Sequence, residues 1–251
     1  MKPNKTTKTS KKVIYTSLVG NYDTLKEPSY VIDGWDYICF SNDVKVNRNS
    51  IWQVRPIPYK NKDNLRLSRY VKLNPHLVLK DYDISLWVDA NLEIANLELL
   101  ELLNKLINFK NKIFIPKHPN RNCIYDELEV CIKEGKDKLD ILLEQKEFLT
   151  KEGFPRKIGL FENNIILRRH NDSSLINLNN EWWQLYEKYS KRDQLSLRYL
   201  LWKHEIECLY FFMNSDSARN SNFFNYYDHN ESSKQKIERK LTIRFNKLFK
   251  K

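Results

Sequence analysis

Ile84-Ser85-Leu86-Trp87-Val88-Asp89-Ala90-Asn91-Leu92-Glu93 is the stretch on which the fold turns. An apolar run stops abruptly at an acid and an amide. The run is too short for a helix and rich in Ile, Leu, Trp and Val, which describes a buried strand. Asp89 and Asn91 stand two residues apart, so on an extended backbone both project to the same side. In an open α/β sheet, ligands collect beyond the carboxyl ends of the strands. Oxygen ligands placed there suit a hard divalent cation that itself holds a phosphate. A strand ending in a solvated Asx turn explains the same residues without a ligand, so the choice falls to the neighbouring segments.

Upstream, Val13–Val19 predicts a first strand closed by Gly20-Asn21-Tyr22-Asp23, and Tyr37–Phe40 a second closed by Ser41-Asn42-Asp43. Trp52–Arg55 reads as a third, stopped by Pro56 and Pro58. A helix starts near Asp63 or Asn64, both good caps, and runs to Pro75, with Arg66, Arg69 and Lys72 near one face. Downstream, Leu97–Ile107 is an amphipathic helix, and Ile113–Ile115 is a strand that ends at Pro116-Lys117-His118-Pro119. Ile124–Leu149 has helical spacing broken near Gly135, Asn164–Arg168 reads as a late strand, and Leu175–Tyr189 and Asp193–Trp202 read as helices. Strands alternating with helices predict a mostly parallel sheet, and the length allows one α/β domain or two small ones. The fold class expected for the whole is a single α/β domain with a mixed, mostly parallel sheet flanked by helices.

At 251 residues, 41% hydrophobic and 13% aromatic, the chain has the length and composition to bury a sizeable core. Only five Gly occur, and neither GxGxxG nor GxxxxGK[ST] is present, which argues against a dinucleotide fingerprint or a P-loop. The net charge of +11 sits at the ends: five Lys in residues 1–12 and a net +7 in residues 234–251 leave the body near −1. A nucleic-acid groove in the body is therefore not expected. The four cysteines (39, 123, 131, 208) lack metal or CxxC spacing, so a reducing cytosol is the simplest compartment. No apolar run long enough to cross a membrane occurs. The expected organisation is a disordered basic tail (1–12), a catalytic-size domain (13–232) and a basic amphipathic helix (233–251). In that last helix Ile237, Leu241, Phe245, Leu248 and Phe249 share a stripe among Lys and Arg. Such a helix either lies on an anionic membrane surface, making the protein peripheral on the inner face, or docks on the protein's own body.

The strand ends collect Thr16, Gly20, Tyr22, Asp23, Asp43, Asp89 and Asn91, and the cationic helix adds Arg66, Arg69 and Lys72. Together they hold what a nucleoside diphosphate needs: groups to meet the base, a metal ligand to bridge phosphates, and cations to offset charge. The structural alternative for Arg66 and Arg69 is a solvated helix face. Trp182 and Trp183 read as core and cleft wall ahead of a stacked sugar platform.

Tyr15-Thr16-Ser17-Leu18-Val19-Gly20-Asn21-Tyr22-Asp23, Arg66-Leu67-Ser68-Arg69, Trp87-Val88-Asp89-Ala90-Asn91, His118-Pro119 with Cys123-Ile124-Tyr125-Asp126-Glu127, and Arg192-Asp193-Gln194-Leu195-Ser196 occur in that order. This series resembles the TOD1/MUCI70 glycosyltransferase-like family over roughly residues 13–205. The resemblance implies a GT-A-like fold, a nucleotide-sugar donor such as a UDP-hexose, a saccharide or lipid-linked saccharide acceptor in surface polysaccharide synthesis, and Mn2+ or Mg2+. Asp89-Ala90-Asn91 stands where such enzymes carry a DxD motif, its second Asp replaced by Asn. The implied metal set is Asp89, Asn91 and His229, with His204 as the other histidine. Thr16, Tyr22 and Asp43 are assigned to the nucleoside, Arg66 and Arg69 to the diphosphate or the motif carboxylate, and His118, Arg121, Asn164 and Trp183 to the sugar and acceptor side. Asp193 is the candidate general base of an inverting transfer, or simply the N-cap of the helix it precedes. The competing reading is a catalytically inactive module that docks on membrane or polyanion through its basic ends. A metal-dependent phosphoesterase built on Asp89 is a poorer third.

Overall fold

Ile84–Val88 forms the middle strand of a seven-stranded sheet. The computed structural model describes residues 10–20, 22–214, 217–230, 237 and 240–244. In chain order the elements are β1 (Lys12–Ser17), β2 (Asp36–Phe40), β3 (Gln53–Arg55), α1 (Asn64–Leu73), α2 (Pro75–Val78), β4 (Ile84–Val88), β5 (Leu92–Ile94), α3 (Leu99–Ile107) and β6 (Ile113–Ile115). They continue with α4 (Ile124–Lys133), α5 (Leu139–Lys151), β7 (Ile165–Arg168), α6 (Ser173–Lys188), α7 (Gln194–Lys203), β8 (Leu209–Tyr210) and β9 (Phe224–Tyr226).

The sheet order is β3-β2-β1-β4-β7-β6-β8, while β5 and β9 pair as a separate ladder. Strands β1 to β4 are parallel to one another, and β7 runs antiparallel to both β4 and β6. This is the mixed, mostly parallel α/β architecture that the alternation of strands and helices predicts. Successive side chains feed opposite faces. Tyr15, Phe40, Trp87 and Ile166 join the core shared with α1 and α4–α7, whereas Ile14, Cys39, Val88 and Ile165 join the core shared with α3. A sheet covered on both faces needs such near-continuous apolar strands.

The reversal of β7 shapes the functional edge. Val88 pairs with Ile165, so β7 starts where β4 ends. The loop before β7 is consequently woven into that edge: Asp89 N–H donates to Asn164 C=O, Glu162 N–H to Pro116 C=O and His118 N–H to Leu160 C=O, each at 2.9 Å.

Most expected elements form within a few residues of their predicted ends. The 124–149 pattern divides at Gly135, whose φ is +61°, a conformation that glycine adopts without steric penalty. The short α2 restarts the helix with Pro75 at its first turn, where the missing N–H costs nothing. Of the expected N-terminal tail, residues 1–9 lie outside the described residues, and Lys12 already belongs to β1. Of the expected C-terminal helix, residues 237 and 240–244 are helical, and Phe245, Leu248 and Phe249 lie outside the described residues. Among the described residues no helix is long and apolar enough to cross a membrane. All four cysteines are free thiols, and Cys39, Cys123 and Cys131 are buried.

Candidate active site

Helix α1 delivers the central cation. Asp63 caps it by accepting from the N–H groups of Leu65 and Arg66, which sets its start. Lys72, on its last turn, is 1% exposed. Its Nζ lies 2.6 Å from Asp193 Oδ2 and 3.4 Å from Asp89 Oδ1. Asp89 Oδ1 also accepts from the Trp87 indole N–H at 2.6 Å, and Arg69 Nε stands 3.7 Å from Asp193 Oδ2. The acid beyond β4, the acid before α7 and two cations of α1 thus form one charge cluster.

Asp193 precedes α7, but its side chain makes no cap hydrogen bond and its backbone is already helical. The N-cap alternative therefore fails; the carboxylate is spent on Lys72 and Arg69. Burial alone would push this carboxyl up, yet the two cations hold it below the ordinary range. Burial likewise opposes the Arg69 charge, and Asp193 with Asp89 keeps that guanidinium firmly protonated. Trp182, fully buried, donates its indole N–H to the Asp193 carbonyl at 3.1 Å and so fixes the backbone there.

One organising residue was not singled out in the sequence. Arg168, 1% exposed at the end of β7, donates to the Lys72 carbonyl, to Tyr15 OH at 2.5 Å and to Asn179 Oδ1 at 3.2 Å. It ties the last turn of α1 to β1 and α6 and thereby places Lys72. The only sequence signal was a charge closing an otherwise apolar strand.

Asp89 and Asn91 do not share a side. Leu92 N–H donates to Asp89 C=O at 2.9 Å, so the chain turns immediately after β4 instead of continuing extended. Asp89 goes to Trp87 and Lys72, while the Asn91 amide donates to Tyr227 C=O at 2.9 Å and its own carbonyl accepts from Tyr227 N–H. Asn91 is 5% exposed and fastens the β5–β9 ladder.

Around this centre the expected nucleoside groups are gathered only in part. Thr16, 2% exposed with a buried Oγ1 that has no partner among the described residues, lines a cleft with Asp89, Lys26, Trp52 and Glu93. Gly20 has φ +69° and donates its N–H to Asp43 Oδ2 at 2.8 Å; a Cβ there would meet the Asn64 amide at 2.1 Å. Asp23 pairs with His229 Nδ1 at 2.8 Å, and the Tyr22 ring lies 4.7 Å from the His229 ring. His204 bonds Glu181 at 2.7 Å and joins α6 to α7.

Two expected site residues serve packing instead. Arg66 donates to the Tyr186 and Glu187 carbonyls at 3.5 and 3.2 Å, which neutralises the end of α6. Trp183 sits edge-on to Tyr59 and Tyr70, each at 5.3 Å, and fills the seam between α1 and α6. Neither joins the charge cluster.

The β6 side is polar and tightly wired. His118, 7% exposed, takes the backbone N–H groups of Asn120 and Arg121 on Nδ1 and faces Arg121 Nη2 with Nε2. Burial and the adjacent guanidinium lower its pKa to about 4, so it is neutral at pH 7. Arg121 pairs with the buried Glu127. Next to it, residues 162–164 carry a group of buried atoms without hydrogen-bond partners among the described residues: Glu162 Oε2, both polar atoms of the Asn163 side chain and Asn164 Oδ1. Glu162 Oε1 accepts from Arg219 Nε at 2.9 Å. Burial raises the Glu162 carboxyl and the nearby Asp89 charge adds to this, against Arg219 and the Asn164 amide. Buried polar atoms left open in this way are what a hydroxyl-rich ligand satisfies.

A divalent cation finds a poor donor set. Of the three expected ligands, Asp89 shares its Oδ1 with the Trp87 indole and the Lys72 ammonium, and Asn91 turns away from it, its Nδ2 on Tyr227 C=O; His229 pairs with Asp23 through Nδ1. No group of three or more His, Cys, Asp and Glu side chains able to hold a metal occurs among the described residues.

A family model described as the TOD1/MUCI70 glycosyltransferase-like domain matches residues 40–229, from the end of β2 to beyond β9. The chain belongs to the TOD1/MUCI70 glycosyltransferase-like family. The matched span of this TOD1/MUCI70 member includes Lys72, Asp89, Glu162, Arg168 and Asp193. No curated protein matches the chain. Among solved structures, the apo bifunctional glycosyltransferase WbbM aligns at 13% identity and TM-score 0.46, over 83% of this chain and 40% of that one. The chain thus spans less than half the length of that protein.

Proposed function

We propose that this TOD1/MUCI70 member transfers a hexose from a nucleotide-sugar donor, UDP-linked, to a saccharide or lipid-linked saccharide acceptor in surface polysaccharide synthesis. The observation that carries the reading is one juxtaposition: the Asp89–Lys72–Asp193–Arg69 cluster lies beside the open polar atoms of Glu162, Asn163 and Asn164 at the carboxyl edge of the sheet. The cleft with Thr16 and Asp89 receives the nucleoside side, and Arg69, 21% exposed at its side chain, faces the diphosphate. Glu162 takes the role first assigned to Asp193. Asp193 faces two cations that lower its pKa, whereas Glu162 faces one, Arg219, and burial raises its pKa. In an inverting transfer the acceptor hydroxyl gives its proton to Glu162 as its oxygen bonds to the anomeric carbon. The bond from that carbon to the diphosphate oxygen breaks, and the fixed cations offset the charge released.

The test is a panel of UDP-sugars with the full chain, read by UDP release and by nucleotide-induced thermal shift. Glu162→Gln should lower kcat by about 10²–10⁴-fold with UDP affinity unchanged. A panel with neither turnover nor thermal shift sinks the enzyme reading, and unchanged turnover in Glu162→Gln removes Glu162 as base.

A second reading rests on Ile237 and Leu241, which are 57% and 62% exposed on a helical segment that also carries Lys240 and Arg244. In this reading the segment is a membrane-surface anchor. Truncation after Ser233 should then weaken binding to anionic vesicles at low salt and spare UDP release. Unchanged vesicle binding rules the anchor out.

A further inference from the structure

We propose that Lys72 is the resident cation of this site, its ammonium standing between Asp89 and Asp193 where a divalent metal would otherwise bind. The geometry is that of a counter-ion clamp. Lys72 is 1% exposed, reaches one carboxylate at 2.6 Å and the other at 3.4 Å, and lies 5.3 Å from the centre of the Trp87 ring. A buried ammonium survives only when paired, and both acids are engaged in pairing it.

The position of the charge is fixed from behind. Arg168 holds the Lys72 carbonyl, and Tyr15 OH donates to the same carbonyl at 3.4 Å. These bonds fix the backbone from which the buried side chain reaches the two carboxylates. With Arg69 the four groups sum to zero charge, so the two carboxylates present no net negative field to an incoming dication. Such an ion would also meet the ammonium at close range, a repulsion that grows as water is excluded. Asn91, the second expected ligand, does not share the side of Asp89: the chain turns at Asp89, and Asn91 is fastened through its Nδ2 to Tyr227 C=O. Charge offset for a departing diphosphate thus comes from protein cations that are permanently in place. That last consequence rests on the glycosyltransferase reading; the clamp itself does not.

The experiment has two arms. In the first, Mn2+ is titrated into the full-length chain without nucleotide and followed by electron paramagnetic resonance. Wild type should show no site with Kd below about 1 mM, while Lys72→Ala, which leaves the two carboxylates with Arg69 alone and a net charge of −1, should bind Mn2+ at least about tenfold more tightly. Lys72→Met, which keeps the volume without the charge, should do the same. A tight Mn2+ site in wild type overturns the proposal, and so does a folded Lys72 variant that gains none. If neither variant folds, the wild-type titration still decides. In the second arm, UDP binding is measured by calorimetry with EDTA and then with Mn2+. Affinities within about threefold of each other support the clamp, and a rise of about tenfold or more with Mn2+ overturns it. UDP binding in neither condition refutes the nucleotide-sugar reading alone, since the Mn2+ arm reads Lys72 independently.

Discussion

Replacing Asp193 with Asn separates two roles for one side chain. As an N-cap, Asn serves about as well as Asp, and the exchange would cost a few tenths of a kcal/mol. As the partner of Lys72 it removes the closer of two counter-charges, at 2.6 Å, from an ammonium that is 1% exposed. At an effective dielectric of about 20, unit charges 4 Å apart attract by about 4 kcal/mol, and desolvation of the pair offsets part of this. Removing one partner of a buried pair typically costs about 3–5 kcal/mol because the other charge stays buried. Asp89 remains at 3.4 Å and supplies partial compensation, which places the expected loss near the lower end, at about 3 kcal/mol. Urea unfolding followed by circular dichroism at pH 7 measures it. The effect also has a pH dependence of defined sign. The folded-state pKa of Asp193 is lowered, so its stabilisation is present above the unfolded carboxyl pKa, near 4, and is lost as pH falls through the folded value. Wild type and variant should therefore converge below about pH 4. A loss under about 1 kcal/mol at pH 7, or a gap that does not narrow in acid, refutes the ion-pair account.

Asn91→Asp should destabilise by about 1–3 kcal/mol, because a carboxylate oxygen would replace the amide that donates to Tyr227 C=O; a thermal melt at or above the wild-type midpoint would contradict this. His118 and His170, the latter fully buried just after β7 with Nε2 2.9 Å from Leu79 C=O, are each lowered to about 4 chiefly by burial and bind fewer protons folded than unfolded between about pH 4 and 6.5. Stability should accordingly fall as pH drops through that window, by up to about 1.4 kcal/mol per pH unit for each histidine. Nitrogen-15 NMR should show both rings neutral at pH 6, and protonation of either near its ordinary pKa would overturn the assignment.

The sheet was readable because its strands carry unbroken apolar runs punctuated by polar ends, and the order of those ends brought Thr16, Asp89 and the α1 cations to one edge before any contact was seen. Lys72 and Arg69 were legible for the same reason, as cations at three-residue spacing on a capped helix. Arg66 shares that spacing, yet it turns to the end of α6, since periodicity gives a face and not the partner that waits there. Asn91 was misplaced because an i to i+3 turn begins at Asp89, and a two-residue spacing does not distinguish a turn from an extended strand. Its partner Tyr227 lies 136 residues further along the chain, beyond the reach of any local pattern. Glu162 and Arg168 went unnoticed for a related reason. A polar group that follows a strand marks the sheet edge in the sequence, while Glu162 precedes one and Arg168 is a buried cation with neutral partners.

The reversed course of β7 has an evolutionary corollary. The groups proposed for the donor side are appended to parallel strands, whereas residues 160–164 arrive on the inbound limb of a connection from α5. The exposed positions Arg156 and Lys157 in that connection can therefore vary while the charge cluster and the register of β4 with β7 stay intact. On the acceptor side proposed above, that inbound connection is the segment to exchange when acceptor preference is to be transplanted from one family member to another.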